Sequence, residues 1–187
     1  TWSDNPYLPK WAITELEESM LPHERVARQF GRPVQGRGLI YPIDENLIIC
    51  DPFSKPLPDF WPQGMTVDFG WTDPTASLAG ALDPMTDTLY VWWNYKVSDT
   101  PFIVHAQAIR EVAERGRLPI EGDPGGMQSN QADGKKLIEE YNKELQSANL
   151  RITLAENEVH AGLVRVYRRM ITGKLKIVNT CASLLHE

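Results

Sequence analysis

The part of the chain that most constrains its fold lies between Met65 and Lys96, where three strand-like segments follow one another with no helix between them. Residues 65–69 form a short apolar run. Residues 76–82 and 88–96 flank the turn Asp83-Pro84-Met85-Thr86-Asp87, and the second of them is rich in Tyr, Val and Trp. Three such strands in succession make a meander. The pattern then changes to an alternation of helix and strand. A helix opened by Pro101 and stopped by Gly116 carries Ile103, Ala106, Ile109, Val112 and Ala113 on one face. Residues 118–123 read as a fourth strand, 131–147 as a helix with Leu137, Ile138, Tyr141 and Leu145 inward, and 151–155 as a fifth strand. A helix over 158–172 aligns Val159, Leu163, Val166 and Met170 before Gly173. An extended segment at 175–178 and a last helix after Asn179 or Thr180 complete the series. This order predicts an α/β fold: a mixed five-stranded sheet, with a meander of three strands and then parallel additions, flanked by helices. The crossover rule sets the fourth strand beside the first.

Two of these strands end in an acid. In Val67-Asp68-Phe69-Gly70 a carboxylate sits between residues that favour a buried sheet, and burying it without a partner would cost several kcal/mol. In Ile120-Glu121-Gly122-Asp123-Pro124 the fourth strand ends in the same way. Side by side, Asp68 and Asp123 would offer hard oxygen ligands to a divalent cation. The alternative for each alone is a turn-forming Asp before Gly or Pro. Asp73, in a turn before Pro74, reads equally as a secondary ligand or as a structural turn residue.

The first 36 residues differ in pattern from the remainder of the chain. Trp11, Ile13, Leu16, Met20 and Leu21 form a helical stripe, Pro22 interrupts it, and 25–30 allows a further short helix. Gly31, Pro33, Gly36 and Gly38 then make the best linker in the chain, which sets a boundary between residues 1–36 and 37–187. Short strands are expected at 39–42 and 47–50, followed by a Pro-rich extended loop. Apolar residues make up 42% of the chain, as in a globular protein, and no run of about 18 apolar residues exists to span a membrane. The formal charge of −6 argues against an extensive basic nucleic-acid surface but not against a local groove. Cys50 and Cys181 lack metal-ligand spacing and read as reduced structural thiols.

Lys135 and Lys136 near the start of one helix, and Arg165, Arg168, Arg169 and Lys174 with Lys176 further on, are candidate phosphate contacts, with solvated helix faces as the default. Trp92, Trp93 and Tyr95 read as core. His105 and His160 read as surface or internally bonded histidines. Glu156 and Glu158 read as acids at the start of a helix, with Glu158 a reserve carboxylate ligand.

The element order is that of a ribonuclease-H-like fold, and the residues resemble a family that has it. Six motifs in family order resemble the C-terminal nuclease domain of the large terminase subunit of tailed bacteriophages. They are Gly36-Arg37-Gly38-Leu39-Ile40-Tyr41-Pro42; Val67-Asp68-Phe69-Gly70-Trp71 with Asp73-Pro74-Thr75-Ala76; Gly122-Asp123-Pro124; Asp133-Gly134; Ala155-Glu156-Asn157 with Gly162; and Gly173-Lys174-Leu175-Lys176-Ile177. The resemblance implies a metal-dependent endonuclease that cuts concatemeric double-stranded DNA by two-metal phosphodiester hydrolysis. It implies Asp68 and Asp123 as catalytic metal ligands and Mg²⁺ or Mn²⁺ as cofactor, two ions per complete site. The family's third acid, on a C-terminal helix, has no counterpart up to Glu187, so the resemblance implies a chain truncated before its last ligand. Residues 1–36 then correspond to the tail of a packaging ATPase domain and its linker. The implied partners are that ATPase domain in cis, the small terminase subunit and the portal, in the cytoplasm of a bacterial host. Two other readings stay open: a non-catalytic module that docks on DNA or the portal, and another ribonuclease-H-like nuclease such as a resolvase or transposase core.

Overall fold

The computed structural model describes residues 5, 7–20, 25, 29, 41, 43–70, 73–124, 136–156 and 158–185. Among the described residues seven strands form one sheet: β1 (Ile49–Cys50), β2 (Gln63–Asp68), β3 (Thr75–Asp83), β4 (Thr88–Val97), β5 (Ile120–Gly122), β6 (Ile152–Leu154) and β7 (Leu175–Val178). The helices that lie wholly among the described residues include α1 (Lys10–Glu18), α2 (Phe102–Gly116), α3 (Leu137–Leu145), α4 (Val159–Ile171) and α5 (Ala182–Leu185). The strand order is β1-β7-β4-β3-β2-β5-β6. Within it, β2, β3 and β4 form the expected meander, and β5 and β6 add in parallel beside β2. The expected count of five strands is too low. β7 joins the free edge of β4 in parallel and β1 joins β7, so the segments at 47–50 and 175–178 belong to the sheet. The expected strand at 39–42, the linker at 31–38 and the short helix at 25–30 lie wholly or mostly outside the described residues.

The hairpin between β3 and β4 follows from its turn chemistry. Asp83 accepts bonds from the Met85 N–H (2.9 Å) and the Thr86 hydroxyl (2.7 Å), and Asp87 takes the left-handed conformation at φ 52°. Period-2 alternation then puts Thr75, Ser77, Ala79 and Ala81 in the interior. On β4 the alternation breaks, because Ala79 faces Trp93 while Gly80 faces Val91. Trp92 is the extra residue of this bulge. Trp93 therefore packs into one core, Val91 into the other, and Trp92 against both.

Two cores result. The first packs Met65, Val67, Ala79 and Ile120 under α2 and α3, contributed by Ala106, Ile109, Ala113, Ile138, Tyr141 and Leu145. The second packs Val91, Leu175, Ile177 and Cys181 with Met170 of α4 and Leu184 and Leu185 of α5. Cys50 and Cys181 are free thiols in and beside this second core. The inward face of α3 is as expected, but those of α2 and α4 are rotated. Ile103 and Val159 are exposed, and His105 and Val164 are buried instead. On α2 the rotation goes with His105, a polar side chain that finds hydrogen-bond partners inside. Trp11 of the expected α1 stripe is likewise exposed, whereas Met20 beyond that helix is buried.

At the end of α2, Gly116 is still helical and Arg117 takes the left-handed position at φ 50°, correcting the expectation that Gly116 itself is the stop. Gly116 is needed for another reason. A Cβ there would lie 2.8 Å from Leu118 Cδ2, and Leu118 is a core residue.

Candidate metal centre

Asp68 is the last residue of β2, and β5 runs beside β2 with Val67 opposite Gly122. One residue further on, Asp123 follows Asp68 in the same register, held by the bond from its N–H to the Val67 carbonyl at 2.9 Å. The two expected ligands thus meet at the carboxyl ends of adjacent parallel strands, where open α/β sheets bind ligands. Desolvation of the Asp68 carboxyl, and then repulsion from Asp123, hold it above the usual carboxylate range. Two like charges brought together in this way form a site that a cation would relieve.

The local fold explains why each acid is where it is. After Asp68 the chain turns so tightly that a Cβ on Gly70 would sit 2.2 Å from the Asp73 carbonyl oxygen, so only glycine fits. Buried Thr75 closes the loop from inside. Its hydroxyl donates to the Gly70 carbonyl (2.9 Å) and accepts from the Gly70 N–H (3.2 Å). Below, Phe69 meets the Tyr141 ring edge-on, with centroids 5.0 Å apart. Burial among these core residues pushes the Tyr141 phenol up to about 12. On β5, a Cβ at Gly122 would lie 2.7 Å from Ile152 and 3.0 Å from the Phe69 ring. Glycine before Asp123 therefore lets the fourth strand of the expected order close onto the loop carrying the first acid.

Asp68 and Asp73 both line a cavity of ≈ 300 Å³ on the α5 side of the sheet, together with Asn94, Lys96 and Ser183. Asn94 donates to the Ser183 hydroxyl, which ties α5 to β4 beside this cavity. Lys96 was not singled out by sequence reasoning. It lies opposite Ala76, which lies opposite Asp68, so the cation and the acid occupy one rung two strands apart. The only sequence signal was its parity with Asn94 on β4, which carries meaning only once the pairing register is known.

The hard-oxygen donor pair fits a divalent ion, but among the described residues no group of three His, Cys, Asp or Glu side chains is close enough to hold a metal. Glu121 is exposed beside Thr66, and Glu158 is the N-cap residue of α4 without a side-chain capping bond. Neither completes a trio. His105 is internally satisfied. Its Nε2 donates to the Thr100 carbonyl at 3.0 Å, which leaves Nδ1 to accept the Tyr95 hydroxyl at 2.7 Å.

The basic residues do not converge on the acids. Arg169 donates to the Asp87 carbonyl (2.8 Å) and carboxylate (3.0 Å), and Lys174 to the Thr86 carbonyl (2.6 Å). Arg168 donates to the Glu18 carbonyl (2.6 Å) and pairs with the Glu18 carboxylate at 3.7 Å. Arg169 and Lys174 thus hold the β3–β4 turn, at the opposite end of the sheet from Asp68, while Arg168 is tied to the end of α1. Arg165 is exposed on α4. Lys136 immediately precedes α3 on the chain leaving β5, and Lys135 lies outside the described residues, as do Asp133 and Gly134.

No family model matches the chain. It is 28% identical over 168 residues to the large terminase subunits of Enterobacteria phage LP7 and Salmonella phage P22, with 88% of this chain aligned in both cases. The aligned part covers 34% and 33% of those proteins, so the chain spans about a third of the curated relatives it matches. The solved P22 large terminase nuclease domain superposes with a TM-score of 0.65 at 25% identity, over 80% of this chain and 76% of that one. A large terminase from a thermophilic bacteriophage superposes with a TM-score of 0.62 at 15% identity, over 97% of this chain and 44% of that one, which shows the shared fold. Sequence and structure together bear out the resemblance to the large terminase nuclease domain and the ribonuclease-H-like class of the sheet.

Proposed function

We propose that this chain is the nuclease domain of a viral DNA-packaging motor, a divalent-metal-dependent endonuclease that cuts concatemeric double-stranded DNA. The observation that carries this reading is the adjacency of Asp68 and Asp123 at the ends of parallel strands β2 and β5. The similarity to large terminase subunits supports it. In this proposal Asp68 and Asp123 hold Mg²⁺ or Mn²⁺, two ions in a complete site, and Asp73 assists from the wall of the shared cavity. When bound, the ions supply activation of water and stabilisation of the leaving oxygen. The chain's own part is to hold two carboxylates rigidly on strand ends, with Gly70, Thr75 and Gly122 setting their approach. Lys135, Lys136 and Arg165 remain candidates for DNA backbone contact. Arg168, Arg169 and Lys174 already serve internal bonds, which makes them poorer ones. Residues 1–36 correspond to the tail of an ATPase domain and its linker, and 37–187 to the nuclease domain. The partners are that ATPase domain in cis, the small terminase subunit and the portal, in the host cytoplasm.

The test is calorimetric titration with Mn²⁺ of this chain and of its Asp68→Ala and Asp123→Ala variants, with folding checked by circular dichroism. Binding in the unaltered chain that disappears in both variants is the expected result. No heat in the unaltered chain would remove the metal reading. A second reading, a docking module that grips DNA without cutting it, is favoured by the absence of a third ligand among the described residues. DNA affinity that falls with salt but does not respond to Mn²⁺ would select it.

A further inference from the structure

Among the described residues the sheet ends at β6, and the outer side of an end strand offers N–H and C=O groups that another extended chain can pair with. The usual protections are missing from the strand itself. Ile152, Thr153 and Leu154 include neither a charge nor a proline, and the Leu154 side chain is 49% exposed. In a parallel ladder alternate residues direct their peptide groups to the neighbour. The Ala155 N–H donates to the Gly122 carbonyl of β5 at 2.9 Å, so Thr153 and Ala155 face β5 while Ile152 and Leu154 face outward. Both outward groups of Ile152 are nevertheless taken. Its N–H donates to the Asn142 side-chain carbonyl at 2.7 Å, and its carbonyl accepts from the Asn142 side-chain N–H at 3.3 Å. One planar amide thus supplies the acceptor and the donor that an adjacent strand would supply. Helix α3 puts it there. Ile138, Tyr141 and Leu145 face the core, and Asn142 stands one turn after Ile138, on the flank of that face. The left-handed turn at Asn149 (φ 56°) and the Leu150 N–H on the Leu145 carbonyl (3.2 Å) then return the chain to β6.

We infer that the Asn142 side chain acts as a surrogate strand, closing the β6 edge at Ile152 against pairing with the β6 edge of a second copy of this chain. A second copy suits the opened edge because the same strand, turned antiparallel about a two-fold axis, presents its own outward Ile152 and Leu154 groups in self-complementary order. The Leu154 groups point outward in either case, but one residue makes no ladder, so the occupancy of Ile152 decides whether the edge is usable. Asn142 belongs to the same chain and therefore competes for Ile152 at any protein concentration, whereas a second copy competes only as concentration rises. This role involves neither metal nor DNA and stands apart from the nuclease reading.

Two measurements test it. Amide hydrogen exchange of the unaltered chain, read by NMR, is expected to show the Ile152 N–H protected at least about tenfold more than the Leu154 N–H on the same edge. Equally fast exchange of the two overturns the inference without any variant. Light scattering over a range of protein concentration then compares the unaltered chain, Asn142→Leu, and Asn142→Leu combined with Leu154→Lys, with folding checked by circular dichroism. Asn142→Leu keeps the bulk and loses both bonds, so its average mass is expected to rise towards that of a dimer at concentrations where the unaltered chain shows no such rise. A lysine on the edge resists strand pairing, so the combined variant should return to the mass of the unaltered chain. An Asn142→Leu mass equal to that of the unaltered chain at every concentration overturns the inference and leaves the amide as an internal tie. A rise that survives Leu154→Lys overturns it too, because association then runs through another surface. Asn142→Ala replaces Asn142→Leu if the leucine variant does not fold, with the same outcomes read in the same way.

Discussion

Gly70 shows how closely the site depends on one atom. Its missing Cβ is what allows the chain to fold back, since that atom would lie 2.2 Å from the Asp73 carbonyl oxygen. Gly70→Ala must open the loop, at a cost on the order of 1–3 kcal/mol for overpacking, and should weaken Mn²⁺ binding through displacement of Asp68. Calorimetry on the variant checks this. Thr75→Val keeps the shape and removes both bonds to Gly70, leaving a peptide group unpaired beside the buried position. A loss of about 1–3 kcal/mol in urea unfolding is expected. His105 ties stability to pH. Burial holds its imidazole below the ordinary 6.5, so the neutral form belongs to the folded state. The unfolded chain takes up this proton first as pH falls. The contribution of His105 is therefore fully present above pH 6.5 and is lost as pH drops through its lower folded value. Melting temperature should decline below pH 6.5, and His105→Gln should flatten that part of the profile.

At the scale of elements, the end of α2 carries a correctable strain. Arg117 occupies a left-handed position that glycine fills without a steric penalty, and the turn is already closed by the Leu118 N–H on the Ala113 carbonyl at 2.9 Å. Arg117→Gly should raise the urea midpoint by the equivalent of up to about 1 kcal/mol. The β3–β4 hairpin is joined by Arg169 to α4 and by Lys174 to the turn that follows it, and these contacts lie at the surface. Arg169→Ala should cost no more than about 1 kcal/mol in the same measurement, because exposed ion pairs contribute little.

At the scale of the whole molecule, the central sheet was legible because its information is local. The strand-like segments either side of turn residues 83–87 and the switch to helix–strand alternation after Val97 specify the meander β4-β3-β2 and, given the crossover rule, β5 beside β2, while the place of β6 beyond β5 comes from the structure. The pairing of Asp68 with Asp123 followed from that order. Glycines 70 and 122 were visible as motif residues, though not the carbonyl and the phenyl ring that require them. Other features depend on contacts between distant segments, which leave no periodic trace. The β4 bulge at Trp92, the addition of β7 and β1 at the β4 edge, and the burial of His105 are all of this kind. The sequence by itself determined the fold class and the two acids, because strand patterning and strand-end chemistry are properties of neighbouring residues. The tertiary structure alone decided where the cations stand, turning Arg169 and Lys174 to the far end and bringing Lys96 onto the rung of Asp68. Register across three strands, not proximity in the chain, sets the distance between opposite charges.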